Sequence, residues 1–334
     1  MLIFVLPALI FVALLWAGWL VHGVWRAIPH ANADFELVVN YGGKPMAGRN
    51  PAGAFYAESS VARVFGAALR LVDGVAPALG TESALRLFFT PLPWKFAARR
   101  RLPSRWVMTT WAFESVELAV YRQRGLESGR PTVLLVHGWA GSGAQMANLG
   151  DALATAGYDP VLLDFPAHGR SGGWRSTLPQ FSRAMFAAVS RLGPLHAVVG
   201  HSLGAVATLH AAARGLPVGR LVLISPSAPP ALFLRWFAGA FGLSETVPAR
   251  MQERIEEREA VRMAEFEPEW LGQRIGQRTL VIHDEADRVA PHATSERLVA
   301  ALTDARLQST QGLGHRKVLA DATVARDVAM YLGS

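Results

Sequence analysis

Gly200-His201-Ser202-Leu203-Gly204 sets a serine between two glycines in a G-x-S-x-G pattern. An apolar run, Ala197–Val199, precedes it, and an Ala/Leu-rich stretch to about Ala213 follows. The first reads as a strand and the second as a helix, so the five residues fill a tight strand-to-helix turn, a nucleophile elbow. Gly200 and Gly204 keep side chains away from the turn, and the Ser202 hydroxyl projects from its tip. At a helix N-terminus, backbone N–H groups and the helix dipole favour the negative charge that develops when a serine attacks a carbonyl.

A serine hydroxyl is a weak nucleophile without a base and a group that orients the base. In chain order these are expected to follow an elbow serine as acid and then histidine. Downstream stand His210, His283, His292 and His315. His210 falls inside the elbow helix, His283 in or at the end of an apolar strand, and His292 at the start of a helix after Pro291. His315 sits in the Gly-rich segment 311–315, directly after the last strand, where a loop can carry an imidazole over the strand ends; it is the expected base. The segment 280–291 offers Asp284, Glu285 and Asp287 as the acid. Asp284 begins the turn and can cap it; Asp287 lies deeper in the loop and is favoured over Asp284. For the tetrahedral oxyanion, one backbone donor is the Leu203 N–H. The second is expected after the Thr132–Val136 strand, where Gly138 lets the chain turn and aims the Trp139 N–H at the same point. His137 reads as a structural tie, and Ser142 and Gln145 as polar contacts for a substrate.

From Trp106 onward strands and helices alternate. Strands are expected at Val107–Phe113, Val116–Arg122, Thr132–Val136, Val161–Asp164, Ala197–Val199, Leu221–Ser225, Thr279–His283 and Arg306–Ser309. Helices are expected near 145–156, 178–191, 203–213, 293–302 and 320–332. The alternation implies an α/β fold, a mostly parallel, doubly wound sheet whose ligands bind at the C-terminal strand ends. An insertion at about 227–276 carries an apolar half and a charged helix near 250–263, and is expected to form a helical lid.

Met1–Trp25 contains no charged residue, and Leu2–Val21 has about the ~20 residues needed to cross a bilayer core. Residues 1–25 are therefore expected to be a transmembrane anchor. A secretory signal with small residues at Ala31 and Ala33 is the alternative; a missing basic n-region and the length of the apolar run argue against it. Arg26 and Lys44 follow the span, so the positive-inside rule predicts a single-pass membrane protein with a cytoplasmic catalytic domain. Residues 26–105 read as a linker and membrane-proximal extension, with a helix from Ser59 to Val75 and arginines Arg99–Arg101 beside aromatics. Residues 106–334 form the expected catalytic domain. The net charge is +7, carried almost wholly by arginine; with no nucleic-acid motif, an anionic membrane surface is the expected electrostatic partner. The absence of cysteine excludes disulfides, thiol catalysis and Cys-ligated metals.

Taken together, His137-Gly138, the segment Asp164 to Ser171, Gly200–Gly204, His283–Asp287 and Gly314-His315 resemble the α/β-hydrolase family over about residues 107–332. The resemblance implies Ser202, Asp287 and His315 as the catalytic set, Trp139 and Leu203 as backbone oxyanion donors, and structural roles for Asp164 and His168. Ala167 departs from the family, which usually has glycine there. The implied activity is a serine hydrolase cleaving carboxylic esters through an acyl-enzyme; the apolar half of the insertion and the anchor favour small-molecule or lipid-like esters of hydrophobic acyl character. A cofactor and a metal are not expected. The alternatives are a non-catalytic binding or scaffold protein of the same fold, or a peptidase, thioesterase or acyltransferase using the same three residues.

Overall fold

The computed structural model describes residues 39–41, 44–46, 60–91 and 102–334. The expectations for residues 1–25, most of 26–59 and the arginine cluster Arg99–Arg101 lie outside the described residues.

Two compact units emerge, one comprising residues up to Gly80 with Trp236–Glu245, the other Thr81–Arg235 with Thr246–Ser334. In the first, strands β1 (Val39–Tyr41) and β2 (Lys44–Met46) pair antiparallel. Helix α1 (Ser60–Val75) meets the chain near Phe241: Arg70 Nη1 donates to the Phe241 carbonyl at 2.7 Å, and Gly66 lies so close that a Cβ would sit 2.7 Å from the same oxygen. Among the described residues no helix is long and apolar enough to cross a membrane. Even the 16 residues of α1 span only about 24 Å, short of the ~30 Å hydrocarbon core, and carry Arg63, Arg70 and Asp73. The expectation of a single-pass membrane protein with a cytoplasmic domain is corrected accordingly.

Helix α2 (Pro77–Phe88) follows. The larger unit is built on strands β3 (Trp106–Phe113), β4 (Val116–Gln123) and β5 (Thr132–Val136), helix α3 (Ala147–Thr155), β6 (Asp159–Leu163), α4 (Leu178–Leu192), β7 (Leu195–His201) and α5 (Leu203–Ala213). After β8 (Val218–Ile224) the chain runs through α6 (Pro230–Phe241), α7 (Thr246–Glu259) and α8 (Pro268–Gly272) before returning to the sheet. It ends with β9 (Arg278–Asp284), α9 (His292–Ala301), β10 (Ala305–Thr310), the single turn α10 (Gly314–Lys317) and α11 (Ala322–Leu332).

These eight strands, β3–β10, form one sheet in the order β10-β9-β8-β7-β5-β6-β4-β3. β4 is antiparallel to both β3 and β6; every other pairing is parallel. The central strands are Val/Leu/Ile runs because both faces are covered. Their period of two sorts the core. Val133, Leu135, Val199, Val222 and Ile282 pack with Leu149 and Leu153 of α3 and Val324 and Val328 of α11. Leu221, Leu223 and Val281 point the other way, to Ala205 and Leu209 of α5 and Leu298 of α9. Burying each such side chain stabilises by about 1.5–3 kcal/mol, so the sheet is the rigid body on which any loop chemistry is mounted. Thr177 caps α4 by accepting from Gln180 N–H, and Asp321 caps α11 by accepting from the N–H groups of Thr323 and Val324.

Strand β5 lies between β6 and β7, so the winding reverses there. In open α/β sheets, ligands bind outside the C-terminal ends of the strands at such a reversal. The loop carrying Gly138 and Trp139 leaves β5 at this point, and Ser202 leaves β7 beside it.

Candidate active site

Ser202 takes φ 53° and ψ −121°, a left-handed backbone that an ordinary side chain adopts at a cost of about 1–3 kcal/mol. Its surroundings hold it there. Ser202 N–H donates to the Ile224 carbonyl (3.0 Å), while the Ser202 carbonyl accepts from Ala205 N–H (3.0 Å) and Ser227 N–H (3.3 Å). Three glycines make the turn sterically possible. A Cβ on Gly200 would lie 2.8 Å from Ala205 Cα, and one on Gly204 would overlap the His137 carbonyl oxygen. A Cβ on Gly138 would lie 2.7 Å from Ser202 Cβ. Gly138 therefore serves close approach to the elbow, and the left-handed turn of its loop falls on Ala140 (φ 54°).

The structure brings the three expected polar groups into one line. His315 Nε2 is 3.0 Å from Ser202 Oγ, and His315 Nδ1 is 2.7 Å from Asp287 Oδ2. With Nδ1–H donating to the carboxylate, Nε2 is left to accept the serine proton. Asp287 Oδ1 accepts from the N–H groups of Val289 (2.8 Å) and Ala290 (3.0 Å). Burial by itself would raise this carboxyl, but hydrogen bonds from His283 and His315, with the Ala290 N–H, hold it well below the usual carboxylate range. His283 is the neighbour that sequence reading did not assign. It is fully buried, its Nε2 lies 3.0 Å from the Ala290 carbonyl and 3.3 Å from Asp287 Oδ2, and its Nδ1 is 2.6 Å from Ser295 Oγ. The signal was its place at the end of β9, four residues before the acid.

Asp284, the alternative acid, does not meet the imidazole. It caps its own turn through Ala286 N–H (3.1 Å), as expected, and also accepts from Thr310 Oγ1 and Leu313 N–H, both at 2.9 Å. Ser142 and Gln145 stand at the 3-10 turn after β5, and among the described residues neither is bonded to Ser202 or His315. His137 is tied into the sheet end: Phe165 N–H donates to its Nε2 (3.1 Å) and its Nδ1–H donates to the Gly138 carbonyl (2.7 Å). Burial depresses its protonation. Asp164 gathers the neighbouring loops, accepting from Tyr121 O–H, Gly143 N–H and Arg170 N–H, while its carbonyl accepts from Ser171 O–H. Ala167 stands at φ 65°, the region glycine favours.

Leu203 is the first residue of α5, and Trp139 follows Gly138 over the same strand ends. Among the described residues neither N–H has a hydrogen-bond acceptor, so both are available to a ligand oxygen. The Trp139 indole is set by His168, with ring centroids 4.9 Å apart, and by Phe181 at 6.2 Å. Among the described residues no group of three or more His, Asp or Glu is arranged to hold a metal. Chemically, a serine joined through a histidine to an ionised carboxylate, beside two unsatisfied N–H groups, can perform nucleophilic acyl transfer.

A largely parallel eight-stranded sheet with a serine elbow after its fifth strand, β7, and histidine after its last, β10, defines an α/β-hydrolase architecture. Residues 131–264 match the model of the alpha/beta hydrolase fold family. Over 95 residues, 28% of the chain, it is 38% identical to the pimeloyl-[acyl-carrier protein] methyl ester esterase of Xanthomonas campestris pv. campestris (strain B100). The chain spans 36% of the length of that relative. Among solved structures, it resembles a membrane phospholipase A described as a bacterial virulence factor. The TM-score is 0.53 at 20% identity, covering 79% of this chain and 96% of the other. It also resembles the Pyrococcus furiosus esterase Pf2001, with a TM-score of 0.51 at 18% identity, covering 68% and 91%. These two likenesses concern the fold alone.

Proposed function

We propose that this chain is a serine hydrolase that cleaves carboxylic esters through an acyl-enzyme on Ser202. The continuous line from Asp287 Oδ2 through His315 to Ser202 Oγ carries this reading. Ser202 Oγ attacks the ester carbonyl as its proton passes to His315 Nε2. The N–H groups of Trp139 and Leu203 stabilise the oxyanion; losing one such donor typically costs about 100- to 1,000-fold. Imidazolium, steadied by Asp287, returns the proton to the departing alcohol. Water then enters, His315 takes its proton, and the acid leaves with Ser202 restored.

Relatives of this chain include a named methyl ester esterase, which favours an ester over an amide. Ser202 is only 5% exposed, which favours a covered site and a substrate that sheds water readily. The segment inserted between β8 and β9 carries the apolar helix α6, rich in Leu, Phe and Trp, and this composition favours a hydrophobic acyl group. Residues 106–334 are the catalytic domain.

The test is fluorophosphonate labelling together with hydrolysis of a p-nitrophenyl ester series from two to twelve carbons. Wild-type protein should label and hydrolyse, and Ser202→Ala should do neither. Folded wild-type protein that neither labels nor hydrolyses any of these esters overturns the reading in favour of a binding protein of the same fold.

A further inference from the structure

His315 sits on a short turn entered through two glycines. Gly312 (φ 77°) and Gly314 (φ 60°) flank Leu313, and a Cβ on either would meet nothing within 4 Å. The helix α10 that follows is a single turn, too short to be self-supporting. Yet the imidazole is held 2.7 Å from one partner and 3.0 Å from the other. Something outside the segment must fix its height above the sheet.

We infer that Asp284 and His201 are positioning residues that clamp the main chain of His315 from both sides, an inference that rests on the serine-hydrolase reading above. Asp284 is the last residue of β9 and is buried. Its Oδ2 accepts from Leu313 N–H and Thr310 Oγ1, both at 2.9 Å, and the Gly314 N–H also points to the carboxylate. One strand end thus secures both partners of the proton relay: Asp287 through its loop, and the approach to His315 through Asp284. Burial would raise the Asp284 carboxyl, but these donors hold it below its ordinary value, so it stays a strong acceptor.

On the other side, His201 closes β7 and immediately precedes the nucleophile. Its Nε2–H donates to the His315 carbonyl at 2.9 Å, and its ring lies 4.8 Å from the His315 ring. Burial pushes His201 down to about 3, so it stays neutral and adds no charge beside an imidazolium. The base is therefore tied to the acid strand through the amides before it and to the nucleophile strand through its own carbonyl. Neither clamp touches a reacting atom. Their effect is exerted through geometry, where a displacement of ~1 Å can cost about 100-fold in rate.

The test is steady-state hydrolysis and fluorophosphonate labelling of full-length wild type, Asp284→Ala, Asp284→Asn, His201→Leu and His201→Gln. Asp284→Ala should lower kcat and the Ser202 labelling rate by about 100-fold with KM within twofold. Asp284→Asn retains an acceptor oxygen and should recover about tenfold of that loss. His201→Leu should lose about tenfold in kcat, and His201→Gln, which keeps an N–H donor, should return to within about threefold of wild type. Full turnover in Asp284→Ala, a loss confined to KM, or a Gln variant no better than Leu overturns the clamp. If Asp284→Ala fails to fold, the His201 pair decides alone. Wild type that itself does not label overturns the serine-hydrolase reading, whereas wild type and Asp284→Ala labelling at equal rates overturns only the clamp.

Discussion

Asp287 accepts hydrogen bonds from two histidines and two backbone amides, and this crowding sets the consequence of altering it. Asp287→Asn keeps the volume but presents an amide to an imidazole that needs an acceptor. His315 should then flip its tautomer and offer Ser202 a proton instead of a lone pair. The expected outcome is a kcat about 10⁴-fold lower with KM little changed, checked by steady-state hydrolysis and by slowed fluorophosphonate labelling. Gly138→Ala is a second prediction at this scale. Its Cβ would press 2.7 Å from Ser202 Cβ, so the elbow or the Trp139 loop must shift. Activity should fall at least about 100-fold while stability falls by only about 1–3 kcal/mol, a contrast read from turnover against urea denaturation. Wild-type turnover in Gly138→Ala would refute the close approach. Ser202, Asp287 and His315 were legible in the sequence because each chemical type recurs at a strand end in a fixed order. His283 was read as a strand residue and Asp284 as a turn cap or the less favoured acid, since their partners, Ser295, Thr310 and Leu313, come from segments whose proximity only the sheet order creates.

Among the elements, the elbow depends on glycines for reasons that differ from those in ordinary turns. Gly204 lies in the first turn of α5, where alanine is normally preferred by about 1 kcal/mol. Here a Cβ would run into the His137 carbonyl, backbone that cannot give way without pulling the loop after β5 off the strand end. Gly204→Ala should therefore destabilise by more than about 3 kcal/mol, against the helix propensity scale. Gly276→Ala is the control: a Cβ there meets nothing within 4 Å and the backbone is not left-handed, so the change should stay within about 0.5 kcal/mol. Urea midpoints of the two variants decide the matter, and a mild effect at Gly204 would mean that the loop after β5 is soft. Periodicity of two made the sheet legible, yet β7 extends from Leu195 to His201, beyond the Ala197–Val199 run, because His196 and His201 interrupt the apolar signal without interrupting the ladder. Helix α2 was missed altogether. Thr81, Ala84 and Leu85 are its buried stripe, with Pro77 at the first position, but Gly80 and a threonine in the stripe hid the 3.6-residue period.

For the whole molecule, buried histidines tie stability to pH in one direction. Burial is the main force on His210, pushed down to about 4 and opposed further by Arg214, whose Nε donates to His210 Nε2 at 3.1 Å. The other ring nitrogen of His210 is 3.0 Å from Ser182 Oγ, so the neutral ring is fully engaged. His201, pushed down to about 3, and His137, also lowered by burial, behave alike. An unfolded histidine titrates near 6.5, so below that value the unfolded chain binds protons that the folded chain refuses. The stabilising contribution is whole above about pH 6.5 and is lost as pH falls toward the folded values. Each of these histidines contributes up to about 1.4 kcal/mol per pH unit to the slope. Asp287 has the same sign in a lower window: its carboxyl is depressed, so its contribution is present above about pH 4 and is lost in stronger acid. A chain already at +7 gains further self-repulsion as carboxylates protonate. Urea denaturation should give a constant midpoint from pH 8 to 7 and a steady decline from about 6.5 to 4.5. His210→Gln, which keeps an amide for Ser182 and Arg214 but cannot titrate, separates the histidine effect from general repulsion. Its decline should be shallower than that of wild type by about one histidine's slope, whereas parallel curves would show that His210 is protonated in the folded protein.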